Sequence, residues 1–161
     1  MKKILSLTLA LTMIGTALTG CGSKDAATKT PAENTQQEQS QTEKALALIN
    51  TFATGDTDTA RSLLADGYIQ HNLAYGTGAD AFIGSVEYLA SADVKTTVNN
   101  IRAFEDGDKV FLQTIYNFAG AGEQVAFDIF RFDEDGKIAE HWDVMETIAD
   151  QSTWQNQNGK F

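Results

Sequence analysis

The segment from Val94 to Thr147 constrains the fold more than any other part of this 161-residue chain. Strand-like stretches alternate there with three turn-forming stretches at residues 105–108, 119–122 and 133–136, each of which contains glycine. Glycine and aspartate at such positions favour tight turns. Strands joined by such short turns pair with their sequence neighbours, so the segment predicts an antiparallel meander.

Three amphipathic helices are predicted before this meander. Ser40 and Glu43 have the spacing of a capping box, and apolar residues recur at helical period from there to Gly55. A second short helix follows, which Gly67 would end in a left-handed conformation, and residues 68–72 are typical of a short strand. A third helix has an apolar stripe, which consists of Phe82, Ile83, Val86 and Leu89. The order predicts an α+β fold with the helices packed on one face of a curved antiparallel sheet.

The first 20 residues have the parts of a secretory signal peptide in the expected order. Lys2 and Lys3 precede an apolar run from Ile4 to Leu18, which is too short and too weakly apolar for a stable membrane span. The run ends in Leu-Thr-Gly-Cys, which resembles the bacterial lipobox. The sequence therefore predicts an extracytoplasmic lipoprotein that is held to a bacterial membrane through a lipid on Cys21.

Composition divides the rest of the chain into a tether and one domain. Residues 21–41 lack aromatic side chains and are rich in polar ones, so they predict a disordered tether. Residues 42–161 have the length of a single domain with one core. Cys21 is the sole cysteine, which excludes disulfides within the chain and sites built from several cysteines.

Charge and motifs exclude several classes of function. The net charge is −10 and no basic patch is evident, which excludes nucleic acid and anionic lipid as partners. Serine-nucleophile motifs, phosphate-binding glycine loops and dinucleotide fingerprints are absent from the sequence. We therefore expect a function that uses no cofactor.

The last hairpin concentrates the side chains that are suited to chemistry. Alternation places Asp128 and Phe130 on one face of a strand, and it places His141, Asp143 and Met145 on one face of the next. Alternation does not show which face the helices cover. If the Asp128 face is the inner one, two carboxylates and an imidazole meet in an apolar pocket, where their pKa values would be pushed apart.

Other interpretations of these residues stay open at this point. His71 could be an ordinary hydrogen-bonding residue at a strand end, and Asp128 could pair with a nearby arginine or lysine. His141 and Asp143 could face solvent. Imidazole and carboxylate ligands from His71, His141 and Asp143 would suit zinc, iron or manganese, but no characteristic spacing supports a metal site and none is predicted.

At these residues the chain resembles the SnoaL-like group of the nuclear transport factor 2 superfamily. The similarity rests on DIFRFDEDGKIAEHWDV, from Asp128 to Val144, and on YIQHN, from Tyr68 to Asn72, followed by Gly78 and Phe82. It spans residues 42 to about 146. The resemblance implies a cone-shaped fold shared with ketosteroid isomerase and scytalone dehydratase, a cavity for a small molecule, and a homodimer.

The resemblance also implies roles for individual residues. In the similar ketosteroid isomerases, a protonated aspartate of the oxyanion hole occupies the position of Asp128. The same register points three further side chains into the cavity, namely His141, Asp143 and Met145. The isomerase's general-base aspartate falls near His71 or Asn72, where this chain has no carboxylate, so steroid isomerisation is not predicted. Gln113 stands where closer relatives are expected to have a histidine.

Two functions follow as nearly equal hypotheses, and a third ranks below them. The first is a lyase or isomerase acting on an apolar carbonyl compound, in which His71 or His141 removes a proton, Asp143 orients His141, and neutral Asp128 stabilises the oxyanion. The second is a lipoprotein that binds a small apolar ligand without changing it. The expected ligand contacts are Tyr68, Asn72, Phe82, Tyr88, Gln113, Phe130 and Met145. The third is a protein-interaction module that uses the open sheet face.

Overall fold

A computed structural model describes residues 39–161 of the chain. The signal peptide, Cys21 and most of the tether lie outside the described residues, so the predictions made for them stay predictions. No helix in the described part is long and apolar enough to cross a membrane.

Three helices and five strands make up the domain. The helices are α1 (Gln41–Thr54), α2 (Thr57–Leu63) and α3 (Ala79–Ser91). The strands are β1 (Leu64–Gln70), β2 (Thr97–Asp106), β3 (Lys109–Asn117), β4 (Gln124–Phe132) and β5 (Ile138–Thr147). Short 3₁₀ turns follow β3 and β5.

The predicted start and end of the first helix are confirmed. Ser40 and Glu43 form a capping box, in which Glu43 N donates to Ser40 Oγ at 3.2 Å and Ser40 N donates to Glu43 Oε2 at 2.8 Å. These bonds satisfy amides that have no partner within the helix. Gly55 ends α1 with φ of 74°. Helix α1 begins at Gln41, one residue before the predicted domain boundary.

The prediction for Gly67 was wrong. Helix α2 ends at Leu63, and β1 begins at the next residue, four residues before the predicted start at Tyr68. Gly67 lies inside β1 and does not have a positive φ. Residues 64–70 are in a strand because they pair with β5, a long-range contact that local turn propensity does not reveal.

The five strands form one open sheet in the order β1-β5-β4-β3-β2. The antiparallel meander from β2 to β5 is confirmed. Strand β1 joins it at the β5 edge in parallel, with Gln70 opposite His141. Register shifts in the β2/β3 and β4/β5 pairs bend the strands, which gives the sheet its curvature.

The helices cover one face of the sheet, and the core lies between the two layers. Its fully buried side chains come from both layers and include Leu48, Val86, Leu112, Phe130 and Ile138. The other face carries large apolar side chains that remain exposed, such as Phe104 at 64%, Phe127 at 55% and Val144 at 73%. We call this the outer face. The arrangement confirms the α+β class with helices on one side.

Candidate active site

A cavity of about 690 Å³ lies between the helices and the inner face of the sheet. Its walls are mainly aromatic and aliphatic, and they include Phe52, Phe82, Leu89, Phe118, Phe130 and Met145. Polar side chains line it as well, chiefly Gln70, Asp128, His141 and Asp143. A small molecule bound there would meet apolar walls and a limited set of polar groups, as in most ligand sites.

Asp128 and Asp143 are directly opposite each other on β4 and β5. Like charges at such positions repel, so this pair is unfavourable unless neighbouring groups compensate for it. His141 lies beside both carboxylates, with Nε2 3.3 Å from Asp128 Oδ1 and 4.0 Å from Asp143 Oδ2. The face that alternation left undetermined is therefore the inner one, and the three residues form one cluster.

Asp128 is 4% exposed, and each of its carboxyl oxygens has a polar partner. The Tyr116 hydroxyl donates to Oδ2 at 3.0 Å, and His141 Nε2 lies within reach of Oδ1. The alternative in which Asp128 pairs with a basic neighbour is wrong, because Arg131 donates to Glu140 at 2.6 Å instead.

Asp143 has one oxygen engaged and the other open. Asn72 Nδ2 donates to Oδ1 at 2.6 Å. No described residue donates a hydrogen bond to Oδ2. Burial raises the pKa of Asp143, and the nearby charge of Asp128 adds to the rise, while His141 and Asn72 oppose it. A carboxyl group with a raised pKa is a stronger base once it is ionised, and such groups are common at functional sites.

Two tyrosine hydroxyls lie beside the carboxylates. Tyr68 is 2% exposed and Tyr116 is also 2% exposed. Burial raises the pKa of both hydroxyls, and the charges of Asp128 and Asp143 raise them further. Both groups therefore stay protonated near neutral pH. The Tyr116 hydroxyl donates a hydrogen bond to Asp128. No described residue accepts a hydrogen bond from the Tyr68 hydroxyl.

His71 does not line the cavity, which corrects its assignment as a catalytic base. Its Nε2 lies 2.9 Å from Glu140 Oε2, and its ring stacks on Trp142 with centroids 4.4 Å apart. Glu140 and Trp142 alternate with the inward-facing residues of β5 and lie on its opposite side. His71 follows Gln70 along the chain, so its side chain points away from the face that Gln70 shares with His141.

The prediction that Gln113 contacts the ligand was also wrong. It alternates with Leu112 and Thr114, whose side chains are in the core, and therefore lies on the outer face of β3. It is 5% exposed because the C-terminal segment covers it, and its Nε2 donates to Lys160 O at 2.8 Å. Gln113 is thus a tether point for that segment and not a cavity residue.

The other predicted contacts fall in three places. Tyr68, Phe82, Phe130 and Met145 line the cavity, as does Tyr88, which is 73% exposed and lies at its rim. Asn72 does not line the cavity, but its Nδ2 donates a hydrogen bond to Asp143 Oδ1. Gln70 and Tyr116 also line the cavity and were not predicted as site residues. Gln70 was recognisable from its two-residue spacing to Tyr68, and Tyr116 from strand alternation in β3, had the inner face been known.

Comparisons with known proteins agree with this architecture. A family model described as a SnoaL-like domain matches residues 45–141. No curated protein matches the chain. Among solved structures, an NTF2-like protein of unknown function from Cytophaga hutchinsonii is similar at 16% identity and a TM-score of 0.59. That similarity covers 69% of this chain and 94% of the other.

Two further structures share the fold. An LEH-like epoxide hydrolase of Mycobacterium tuberculosis has 18% identity and a TM-score of 0.57, covering 66% of this chain and 82% of its own. IdmH of Streptomyces antibioticus, a candidate polyketide cyclase, has 18% identity and a TM-score of 0.54, covering 67% and 93%. At these identities the likeness establishes the fold, including its helical layer and open sheet.

Proposed function

Because the chain belongs to the SnoaL-like domain family, we propose that it is an acid–base enzyme that isomerises or cyclises a small, largely apolar carbonyl compound without a cofactor. The observation that carries this proposal is the cluster of Asp128, His141 and Asp143 on the wall of an apolar cavity. An epoxide hydrolase and a candidate polyketide cyclase share the fold, which supports a small-molecule reaction in general.

Asp143 is the proposed base. Its Oδ2 is the carboxyl oxygen of the cluster that accepts no hydrogen bond from a described residue, and Asn72 holds the other oxygen in place. Its raised pKa makes the ionised form a better proton acceptor. His141 is less suited, because its two ring nitrogens already face Gln70 and Asp128. We therefore assign the proton transfer to Asp143 and not to a histidine.

Tyr68 is the proposed donor to the substrate oxygen. Its oxygen accepts from Gln70 Nε2 at 3.3 Å, which leaves the hydroxyl proton available. The raised pKa keeps this proton in place near neutral pH. Asp128 is less suited to the role, since both of its oxygens already have partners within the protein, Tyr116 and His141. A single well-placed donor of this kind contributes roughly a hundredfold to a thousandfold in rate.

The proposed step moves one proton and one electron pair. A C–H bond next to the carbonyl breaks, its proton goes to Asp143 Oδ2, and its electrons form the enolate, whose oxygen accepts a hydrogen bond from Tyr68. Return of the proton to another carbon gives an isomer. Attack of the enolate carbon on a second carbonyl of the same molecule forms a C–C bond and an alkoxide, which takes the proton held by Asp143, and gives a ring.

The charge of the cavity narrows the class of substrate. Asp128 and Asp143 line it, whereas no lysine or arginine does so among the described residues. A bound carboxylate or phosphate would face two carboxylates with no compensating cation, which costs several kcal/mol in a partly desolvated site. The substrate is therefore neutral near its reacting carbonyl.

The test starts with native mass spectrometry of the protein purified from its own host, which identifies any retained molecule. Carbonyl compounds from which the retained molecule could form are then assayed as substrates. The Asp143→Asn and Tyr68→Phe variants should each lower kcat at least a hundredfold. His71→Asn is the matched control and should leave turnover unchanged, because His71 lies outside the cavity. Full turnover by Asp143→Asn would rule out the proposed base.

A binding function without catalysis is the second candidate, and the mainly apolar walls of the cavity favour it. A retained molecule that the wild-type protein leaves unchanged over many hours, and that Phe82→Ala releases, would establish it. A molecule that is converted would exclude it.

We also propose that the protein is extracytoplasmic and anchored through a lipid on Cys21. The support is the charged start, apolar run and Leu-Thr-Gly-Cys ending of residues 1–21. Expression in a bacterial host with a labelled fatty acid should label the wild-type chain, and Cys21→Ser should abolish the label. Equal labelling of both would exclude this anchor.

A further inference from the structure

We propose that Gln70 fixes His141 in the neutral tautomer that carries its proton on Nε2, and so sets the role of the imidazole in the cluster. The two residues are direct partners across the parallel β1/β5 pair, and they share the inner face of the sheet. Gln70 Nε2 lies 2.9 Å from His141 Nδ1. Gln70 thereby acts through His141 as a positioning residue.

The orientation of the Gln70 amide follows from a backbone contact. The N–H of Asn72 lies 2.8 Å from Gln70 Oε1. A backbone N–H can only donate, so the oxygen of the amide must be on this side. The NH₂ group then points the other way, towards His141 Nδ1 and the Tyr68 oxygen. Swapping the amide's oxygen and nitrogen would set N–H against N–H at Asn72.

The protonation of His141 follows from that orientation. An amide NH₂ donates and does not accept, so Nδ1 must present its lone pair. A neutral imidazole with a free Nδ1 carries its proton on Nε2, and this proton points to Asp128 Oδ1 at 3.3 Å. The ring has little freedom to turn away, because it stacks on Phe130 with centroids 4.4 Å apart and an interplanar angle of 8°.

The tautomer gives His141 a definite function. In this tautomer it is a hydrogen-bond donor to the Asp128 carboxylate and not the base, since Nδ1 already accepts from the Gln70 NH₂ group. The titratable groups that face it are Asp128 on β4, Asp143 on β5, Tyr68 on β1 and Tyr116 on β3.

The same contact disfavours use of the cluster as a metal site. One ligand atom each from Asp128, His141 and Asp143 lies within 4.8 Å of the others, a spacing that suits a cation. A histidine that binds a metal through Nε2 normally donates its Nδ1–H to an acceptor. Here Nδ1 faces a donor, so a metal at Nε2 would require the Gln70 bond to break.

The test is nuclear magnetic resonance of the ring nitrogens in the full chain with labelled histidine and Cys21→Ser, so that no lipid is attached. The chain has two histidines, and His71→Asn assigns their signals. At neutral pH the wild type should show a protonated Nε2 and an unprotonated Nδ1 in His141, which is the tautomer that the Gln70 contact selects. A protonated Nδ1 in the wild type at neutral pH would overturn the proposal.

Two variants separate the contact from general effects of charge. Gln70→Glu keeps an acceptor for Asn72 N–H and offers a second acceptor to Nδ1, so Nδ1 should become protonated. Gln124→Glu adds the same charge to the same cavity without a contact to His141, and should keep the wild-type pattern. The same protonation of the His141 nitrogens in Gln70→Glu and in wild type would contradict the assignment. An equal change in their protonation in both glutamate variants would contradict it as well.

This inference extends the proposed function, but its readout does not need turnover. The expected tautomer together with no reaction on any carbonyl compound would leave the role of Gln70 intact and remove the proposed activity. Turnover by a protein with the opposite tautomer would remove the role of Gln70 only.

Discussion

At the scale of single residues, two aspartates directly opposite each other have been given different surroundings. Asp128 accepts bonds from a tyrosine and a histidine, whereas Asp143 accepts one from Asn72 and keeps an oxygen open to the cavity. Burial raises the pKa of Asp143. Such divergence between paired carboxyl groups is how one site obtains groups with different tasks.

The two aspartates should respond in opposite ways to replacement by asparagine. Asp128→Asn turns an amide NH₂ towards the Tyr116 hydroxyl or His141 Nε2–H, both of which need an acceptor, and should cost about 1–3 kcal/mol of stability. Asp143→Asn removes a carboxylate whose pKa burial raises, so it should increase stability at neutral pH, by less than the Asp128 change decreases it. Urea unfolding measures both changes.

The gain from Asp143→Asn should depend on pH with a defined sign. A raised pKa means that the native state binds more protons than the unfolded state between the ordinary value of 3.8 and the raised value. Wild-type stability therefore falls as pH rises through this window, relative to the variant. The stability difference should be small below the window and largest above it. A difference that is independent of pH would show that Asp143 is not the cause.

The residues of the site were partly predictable from the sequence. Alternation grouped His141 with Asp143, and the family resemblance supplied the inner face, because burial of a face depends on contacts with distant helices. The contact of Gln70 with His141 was not predictable, because the two residues are 71 positions apart and meet only through the parallel pairing of β1 with β5. His71 was misplaced because Gln70, the residue before it, points into the cavity, and strand alternation then turns His71 away.

At the scale of elements, helix α1 must end where α3 passes close to it. Gly55 has φ of 74°, and a Cβ there would lie 2.8 Å from Ala90 Cβ of α3. Gly107, in the β2/β3 turn, has φ of 60° with open space around it. Both glycines have a positive φ, which residues with a Cβ adopt only with strain. Only at Gly55 would a Cβ also be too close to a neighbouring side chain.

Alanine at these positions should separate backbone strain from crowding. Gly107→Ala should cost about 1–2 kcal/mol, which is the strain of a left-handed conformation for a residue with a Cβ. Gly55→Ala should cost that amount and about 1–3 kcal/mol more for overpacking against Ala90. Denaturant midpoints of the two variants test this, and equal losses would mean that α1 and α3 can separate without cost.

Most elements were predictable because their signals are local. Caps, apolar stripes and turn glycines predicted the presence of all three helices and of the strands from β2 to β5, as the capping box of α1 illustrates, although the end of α2 was misplaced. Strand β1 was the exception. Its first residues, Leu64 to Gly67, carry no strand pattern that a local reading could separate from the end of a helix, and pairing with β5 decides their conformation.

At the scale of the whole molecule, the C-terminal segment covers Gln113 on the outer face, but large apolar side chains elsewhere on that face stay uncovered. Phe104, Phe127 and Val144 are exposed there, and Trp142 lies on the same side of the sheet. Exposed apolar clusters of this kind mark interaction sites in soluble proteins. We propose that two copies of the chain associate through this face.

Light scattering after size-exclusion chromatography tests the association at micromolar concentration. The wild-type protein should have twice the mass of one chain, and Phe127→Lys should shift it to a monomer, because a charge on the outer face would be desolvated in the interface. Leu73→Lys is the control, since Leu73 is fully exposed in the β1–α3 loop. A monomeric wild type would contradict the proposed dimer.

Solvent deuterium exchange is the most direct test of the central claim, which is that Asp143 removes a proton next to a carbonyl in the apolar cavity. Neutral cyclic ketones that fit about 690 Å³ would be incubated with the protein in heavy water, and deuterium next to the carbonyl would be followed by nuclear magnetic resonance. We expect exchange well above the buffer rate with wild type, and loss of at least a hundredfold with Asp143→Asn. Exchange that is equally fast with both proteins, or that wild type does not accelerate for any ketone bound in the cavity, would contradict the account.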